Sequence, residues 1–195
     1  MIKCFFLFVA FSAVLALPAA AKENSGGSKT LIASGSKIEL KDNATGKTTA
    51  LYDGAEEDFI KSVTADAAFS KILFIKRGRL FLLNTADKEL KQYSLGPQDK
   101  IMYYISAGIS SDGNTIFGIY ASLDGGAPNP LWVGELKKYA EDEEYEGKMV
   151  MSGDSFQEAC WIRASRIIEA KLFSEETVLV DADKLKVSLF KKELK

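Results

Sequence analysis

The side chains best suited to chemistry in this chain are carboxylates, and their spacing works against the reactions carboxylates perform. Asp42-Asn43-Ala44-Thr45-Gly46 invites a calcium-loop reading, but Ala44 stands at a position where an oxygen ligand is needed. Asp181-Ala182-Asp183 puts two carboxylates on one side of a turn, with nothing nearby in sequence to complete a cage. Glu56-Glu57-Asp58 and Glu141-Asp142-Glu143-Glu144 are runs of negative charge. Glycoside hydrolysis needs two carboxylates facing each other across a cleft, one of them kept protonated. Neighbours on one loop do not give that geometry, so both runs read as solvated charge. No metal site and no cofactor site is expected from these groups.

The chain has no histidine. That removes Ser-His-Asp and Cys-His nucleophile pairs, histidine zinc sites and haem ligation by histidine. Carboxylate, lysine, tyrosine and serine–lysine chemistries remain, but no catalytic pair can be named, and the expectation is a chain that is not an enzyme. Contact chemistry is easier to place. Asp124, Gly125, Gly126, Pro128, Asn129 and Pro130 form a loop that interrupts an otherwise regular unit, just before Trp132. Insertions on one face of a repeat often carry recognition, which makes these residues the candidate partner-binding loop. Tyr103, Tyr104, Tyr120, Trp132 and Trp161 supply aromatic area, either for partners or for packing within the core. Asn43-Ala44-Thr45 is a formal glycosylation sequon, relevant only in a eukaryotic secretory pathway.

These residues need elements to position them, and the first segment says where those elements fold. Met1-Ile2-Lys3 is followed by an apolar run, Cys4–Leu17, then Pro18-Ala19-Ala20-Ala21 and the charged Lys22-Glu23. This is the three-part layout of a secretory signal peptide, 1–21, with cleavage after Ala21. The run is shorter than the roughly 20 residues a helix needs to cross a bilayer. Residues 22–30 are polar and rich in Gly and Ser, a flexible linker. A single domain, 31–195, follows. The implied destination is a bacterial periplasm or the extracellular space. With the leader removed, Cys160 is the only cysteine, so no intramolecular disulfide can form, and its neighbours Trp161 and Ile162 suggest a buried thiol. A net charge of −2 for the whole chain does not point to nucleic acid, and no second apolar run approaches a membrane span.

The domain reads as short strands separated by Asx and Gly turns. Ile38 and Leu40 alternate with charged residues, and Asp42–Lys47 turns the chain into Thr48–Tyr52. Ile72–Ile75, Leu80–Leu83 and Glu89–Leu95 repeat the theme, with Leu80 falling on Ile38, Leu82 on Leu40 and Asn84 on Asp42 at an offset of about 42 residues. A third unit runs from Ile101, with Ser111-Asp112-Gly113-Asn114 as its turn and Leu131–Leu136 as a later strand. Lys137–Gly147 is acidic and polar and reads as a solvated connection, with a helical turn as an option within it. Phe156–Phe173 fits either two strands or a helix, and the pattern does not decide between them. Thr177–Val180 and Leu185–Phe190 complete a fourth unit.

Ser110-Ser111-Asp112-Gly113-Asn114-Thr115-Ile116-Phe117 is similar to the turn-and-strand motif of TolB- and WD-like propeller repeats. Gly78–Asn84 and Leu131-Trp132-Val133 resemble the strand that follows it, and Thr64-Ala65-Asp66 is a weaker copy of the turn. The resemblance implies that the serine and aspartate tie the turn between the first strands of a blade, and it implies an envelope scaffold. The expected fold is all-β and antiparallel, with about four β-propeller-like blades; an antiparallel barrel or sandwich is the alternative. The expected function is an exported, non-catalytic binding or scaffold protein of the cell envelope with a protein or glycan partner. A barrel holding a small apolar ligand is the second reading. An incomplete ring would leave sheet edges open, which a homodimer would close.

Overall fold

The computed structural model describes residues 29–97, 103–121, 127–141 and 145–190. Their strands divide into four separate antiparallel sheets. The first holds β1 (Lys29–Ser34), β2 (Lys37–Asp42) and β3 (Thr48–Asp53). The second holds β4 (Ile60–Ala65), β5 (Lys71–Lys76), β6 (Arg79–Asn84) and β7 (Leu90–Tyr93). The third holds β8 (Tyr104–Ile109), β9 (Thr115–Tyr120), β10 (Leu131–Glu135) and β11 (Lys148–Val150), with the helix α1 (Leu136–Glu141) between its last two strands. The fourth holds β12 (Phe156–Trp161), β13 (Ile167–Leu172), β14 (Thr177–Asp181) and β15 (Lys186–Leu189). Each sheet is a meander of neighbours in sequence, which is a blade. The barrel or sandwich alternative is set aside, because the strands neither close on themselves nor form two facing sheets.

Turn chemistry explains the meanders. Arg77 and Gly78 both have positive φ, +50° and +74°, which matches the twist of the strands that the turn joins. Gly78 is needed for a second reason: a Cβ there would stand 2.5 Å from the Tyr103 ring. At the other end of the hairpins, Asp42 Oδ1 accepts from the amides of Ala44 and Thr45, both at 2.9 Å. Asp181 Oδ1 does the same for Asp183 and Lys184, both at 3.0 Å. The carboxylates that suggested metal loops are turn-formers.

The first strands of the full blades lie side by side, β4 on β8 and β8 on β12, so the blades radiate from a common inner line. Here the free edges of the inner strands are joined by hydroxyls. Ser62 Oγ accepts from Ala107 N at 2.9 Å and donates to Ala107 O at 3.0 Å. Thr64 Oγ1 accepts from Ile109 N at 3.1 Å, and Ser106 Oγ accepts from Ala159 N at 3.3 Å. Each inner strand also carries a register shift in its first half, between Lys61 and Thr64, Tyr104 and Ser106, and Phe156 and Glu158. The shift turns the strand edge toward its neighbour.

Burial follows position in the arc. In β5 the four residues Ile72–Ile75 are all buried, and in β9 Thr115–Ile119 are all buried. Strands covered on both faces need such continuous runs. In the fourth sheet β13 and β14 alternate instead: Ile168, Ala170, Leu172, Val178 and Val180 face the third sheet, and Glu169, Lys171 and Asp181 lie on the other side. The first sheet also shows one buried side, with Ile38 in the core it shares with the second.

Several details differ from expectation. Phe156–Phe173 is two strands, because its outward positions are polar and its inward ones complete a sheet-to-sheet core. β1 begins at Lys29, ahead of Leu31. In Lys137–Gly147 the helical turn is present as part of α1; Lys137, Lys138, Ala140 and Glu141 are exposed, and only Tyr139 of its described residues is buried. Cys160 is half-buried rather than enclosed. Ile101 and Met102, at the expected start of the third unit, lie outside the described residues.

Candidate functional site

The turns after the inner strands, 66–70, 110–114 and 162–166, are of equal length and stand together at one end of the arc. They border a shallow cavity of about 90 Å³ lined by residues including Asp66, Phe69, Ile109, Trp161, Ile162 and Arg163. Hydrogen bonds fix the first two turns. Asp66 is 5% exposed, and its Oδ1 accepts from Ser70 N at 2.7 Å and Lys71 N at 3.1 Å, while Oδ2 accepts from Ser70 Oγ. In the next turn Ser110 Oγ donates to Asp112 Oδ1 and accepts from Thr115 N at 3.0 Å. The serine–aspartate tie implied by the repeat motif is therefore present at Ser110 and Asp112. The Ser110 hydroxyl, helped by Asn114, holds the Asp112 carboxyl below the usual carboxylate range against its partial burial. Cross-ties lock the two turns together: Ala67 N donates to Ser111 O at 2.9 Å, and Lys71 Nζ donates to Gly113 O at 2.8 Å.

The third turn has no aspartate. Ser165 Oγ donates to Ile162 O at 2.8 Å and accepts from Ile167 N at 3.1 Å, and Ile162 and Arg163 border the cavity. Ile162 is 37% exposed. Behind it, Arg166 reaches Thr115 Oγ1 at 2.6 Å and Asp183 Oδ1 at 2.9 Å, with its guanidinium 5.9 Å from the Trp161 ring centre. Phe69 and Ala164 hold positive φ, +55° and +54°, an unusual backbone state that the surrounding bonds must enforce. The result is an apolar wall on tied turns, with Arg163 beside it on the cavity lining. Such a surface suits a group with an apolar body and a negative or polar end.

A second polar cluster overturns an expectation. Asp58 is 7% exposed, not part of a solvated run. Its carboxylate takes Lys76 Nζ at 3.2 Å and Arg77 Nε at 2.7 Å, and Lys76 also donates to Tyr52 Oη at 3.0 Å. Burial alone would push the Asp58 carboxyl up; the two cations outweigh it and hold it down. The cluster clamps the segment between β3 and β4 onto the second sheet. Glu56 and Glu57 remain exposed.

Of the candidate loop, Asp124, Gly125 and Gly126 lie outside the described residues. Asn129 N donates to Ser155 Oγ at 3.0 Å, and Asn129 O accepts from Phe156 N at 3.1 Å, so this part seats the start of β12. Pro130 is buried and Pro128 half-buried. Trp132 packs on the second-to-third-sheet core with its indole N–H buried and unpaired. The loop leaves β9 at the end away from the turn cavity. The residues that line that cavity, Phe69, Ile162 and Arg163, carry no motif of their own; the equal length of the three turns was the available signal. Among the described residues no cluster of three or more His, Cys, Asp or Glu could hold a metal ion, and no helix is long and apolar enough to cross a membrane.

Neither a protein-family model nor the sequence of a curated protein matches the chain. Its fold is similar to the solved structure of dihydro-heme d1 dehydrogenase NirN in complex with DHE, with a TM-score of 0.56 and 14% identity. The chain is a β-propeller-like, all-β protein. The match covers 83% of this chain and 34% of the NirN chain, so the chain spans about a third of that protein's length. The particular likeness to TolB- and WD-type repeats rests on the short motifs alone. The expectation that the chain is not an enzyme is withdrawn. The propeller-like structure it matches is that of a dehydrogenase, and fold similarity at this identity leaves catalysis open here.

Proposed function

We propose that the chain is an exported binding protein of the cell envelope that holds a protein or glycan partner against the cavity formed by its three inner turns. The observation that carries this reading is that cavity. Three blades each contribute a five-residue turn to one spot, Asp66, Ser110, Asp112 and Lys71 tie the first two turns, and the cavity they border brings Phe69, Trp161 and Ile162 together with Arg163. Aromatic and arginine side chains are the types enriched at contact hot spots. The leader pattern of residues 1–21 supports export, and the motif at Ser110–Phe117 supports an envelope role.

The test is crosslinking in intact envelopes with wild type, Arg163→Glu, Ile162→Ser and a chain shortened between Asp124 and Pro130. Loss of the same specific adducts in both turn variants, with the loop variant unchanged, is the expected result. Adducts that survive both turn substitutions and vanish on shortening the loop would move the site to the loop.

A further inference from the structure

The space between the third and fourth sheets changes character toward the turns. Deeper in, it is apolar: Ile119, Leu131 and Val150 on the third sheet share a core with Ile168, Val180 and Val187 on the fourth. Toward the turns polar groups take over. Lys148 stands opposite Val133, Glu135 stands opposite Thr115, and Arg166 precedes β13 on the other side. These side chains do not fill the gap, and a cavity of about 90 Å³ is left among them. Its floor is built. Thr115 is 2% exposed, and its Oγ1 accepts from Arg166 Nη1 at 2.6 Å. Arg166 Nε and Nη2 in turn donate to Asp183 Oδ1 at 3.1 and 2.9 Å. Among the described residues nothing accepts the hydrogen of the Thr115 hydroxyl.

We propose that this cavity is a saccharide subsite, which takes the hydroxyl-bearing edge of one sugar ring of a neutral glycan. Donors and acceptors are interleaved on its lining. Arg166, Lys148 and the Thr115 hydroxyl give hydrogen bonds, and Asp183, Glu135 and the Tyr145 hydroxyl take them. A carboxylate or phosphate only accepts, and here it would face Glu135 and Asp183. An ammonium only donates, and it would face Arg166 and Lys148. A sugar hydroxyl does both, and bonds to charged partners are the stronger kind. The two cations and two carboxylates of the lining balance, so no net charge favours an ion. At roughly 30 Å³ per water the cavity has room for about three waters, so a ring enters by its edge and replaces them with hydroxyls. A ring also fixes its hydroxyls before binding, which lowers the ordering cost. Tyr145, packed edge-on to Tyr139 with ring centres 4.8 Å apart, offers apolar area to the C–H groups of the ring.

The site is separate from the turn cavity. The Arg166 guanidinium lies 5.9 Å from the centre of the Trp161 ring, Arg166 lines this cavity and Trp161 lines the other, and the two linings share no residue.

The test is a titration of the isotope-labelled full chain, followed through backbone amide NMR shifts. The probes are the methyl glycosides of glucose, galactose, mannose and N-acetylglucosamine, with acetate, inorganic phosphate and methylammonium as ionic probes. The expected result is a saturable shift at Thr115, Glu135, Lys148 and Asp183 with at least one glycoside. Glu135→Ala and Lys148→Met, both at exposed positions, each weaken that binding about three- to tenfold, the loss of one hydrogen bond. Lys91→Met, on β7, leaves it unchanged. No saturable shift at the four residues with any glycoside overturns the proposal and leaves the cavity to water. Saturation there by an ionic probe, with no response to the glycosides, also overturns it and makes the cavity an ion site. Glycoside shifts centred on Phe69 and Ile162 instead overturn it while supporting a glycan in the turn cavity.

Discussion

Ser62 Oγ both accepts from Ala107 N and donates to Ala107 O, at 2.9 and 3.0 Å, across the gap between two inner strands. One hydroxyl thus does for β4 and β8 what a ladder of backbone bonds does within each sheet. Ser62 sits at φ +53° inside a bulge to make this reach. The pair joins the second blade to the third at the inner line, beneath the turn cavity.

Ser62→Ala leaves the Ala107 amide and carbonyl without their partner in a part-buried place. The expected loss of unfolding free energy is about 1–3 kcal/mol. Urea denaturation reads it as a lower midpoint with an unchanged slope. An unchanged midpoint would show that water replaces the hydroxyl.

The same change has opposite signs at two tyrosines. Tyr104 Oη accepts from Leu95 N at 2.8 Å, so Tyr104→Phe strands a buried amide and destabilises by about 1–3 kcal/mol. Tyr139 is packed edge-on against Tyr93 and Tyr145, and its hydroxyl is buried with no partner. Burial pushes that phenol far up. Tyr139→Phe is expected to be neutral or to stabilise by about 1 kcal/mol. Thermal melts of the two variants check both signs.

Acid should weaken the fold. The Thr45 amide holds the Asp42 carboxyl down, the Ser110 hydroxyl that of Asp112, the Ser174 amide that of Asp154 and the Lys184 amide that of Asp181. A carboxyl depressed in the folded state stabilises above its unfolded pKa, about 3.9 for aspartate, and that contribution fades as pH falls through the folded value. Urea midpoints measured from about pH 6 to pH 3 should fall at the acid end. Ser110→Ala should reduce the drop; a midpoint that rises on acidification would contradict the assignment.

Position in the arc sets the cost of truncation. Phe117, 0% exposed on β9, lies in a strand covered on both faces, and Phe117→Ala should cost about 3–5 kcal/mol. Leu179 on β14 points away from the third sheet and is half-buried. Leu179→Ala should cost about 1 kcal/mol or less. Equal losses would mean that the outer side of the fourth sheet is covered in solution.

The blades were legible in the sequence because their signals are local. Asx and Gly turns at Asp42, Asn84, Ser111–Asn114 and Asp181 announce hairpins, and the offset that lays Leu80 on Ile38 is the true strand register. The candidate site was not legible, because it is built by proximity. Phe69, Ile162 and Arg163 come from turns distant in sequence, and only radial packing brings them together. Asp58 was misread for a related reason: its charge partners, Lys76 and Arg77, sit one hairpin away. Phe156–Phe173 stayed undecided between a helix and two strands because the contacts that settle it, with the third sheet, are not local.

The two kinds of strand also set where this architecture can grow. A copy of β8–β11 inserted between the second and third sheets meets apolar faces on both sides. A blade appended beyond the fourth sheet would instead rest on Glu169, Lys171 and Asp181. Lengthening the arc by internal duplication is therefore open to a single genetic event, while extension from that end demands several substitutions first.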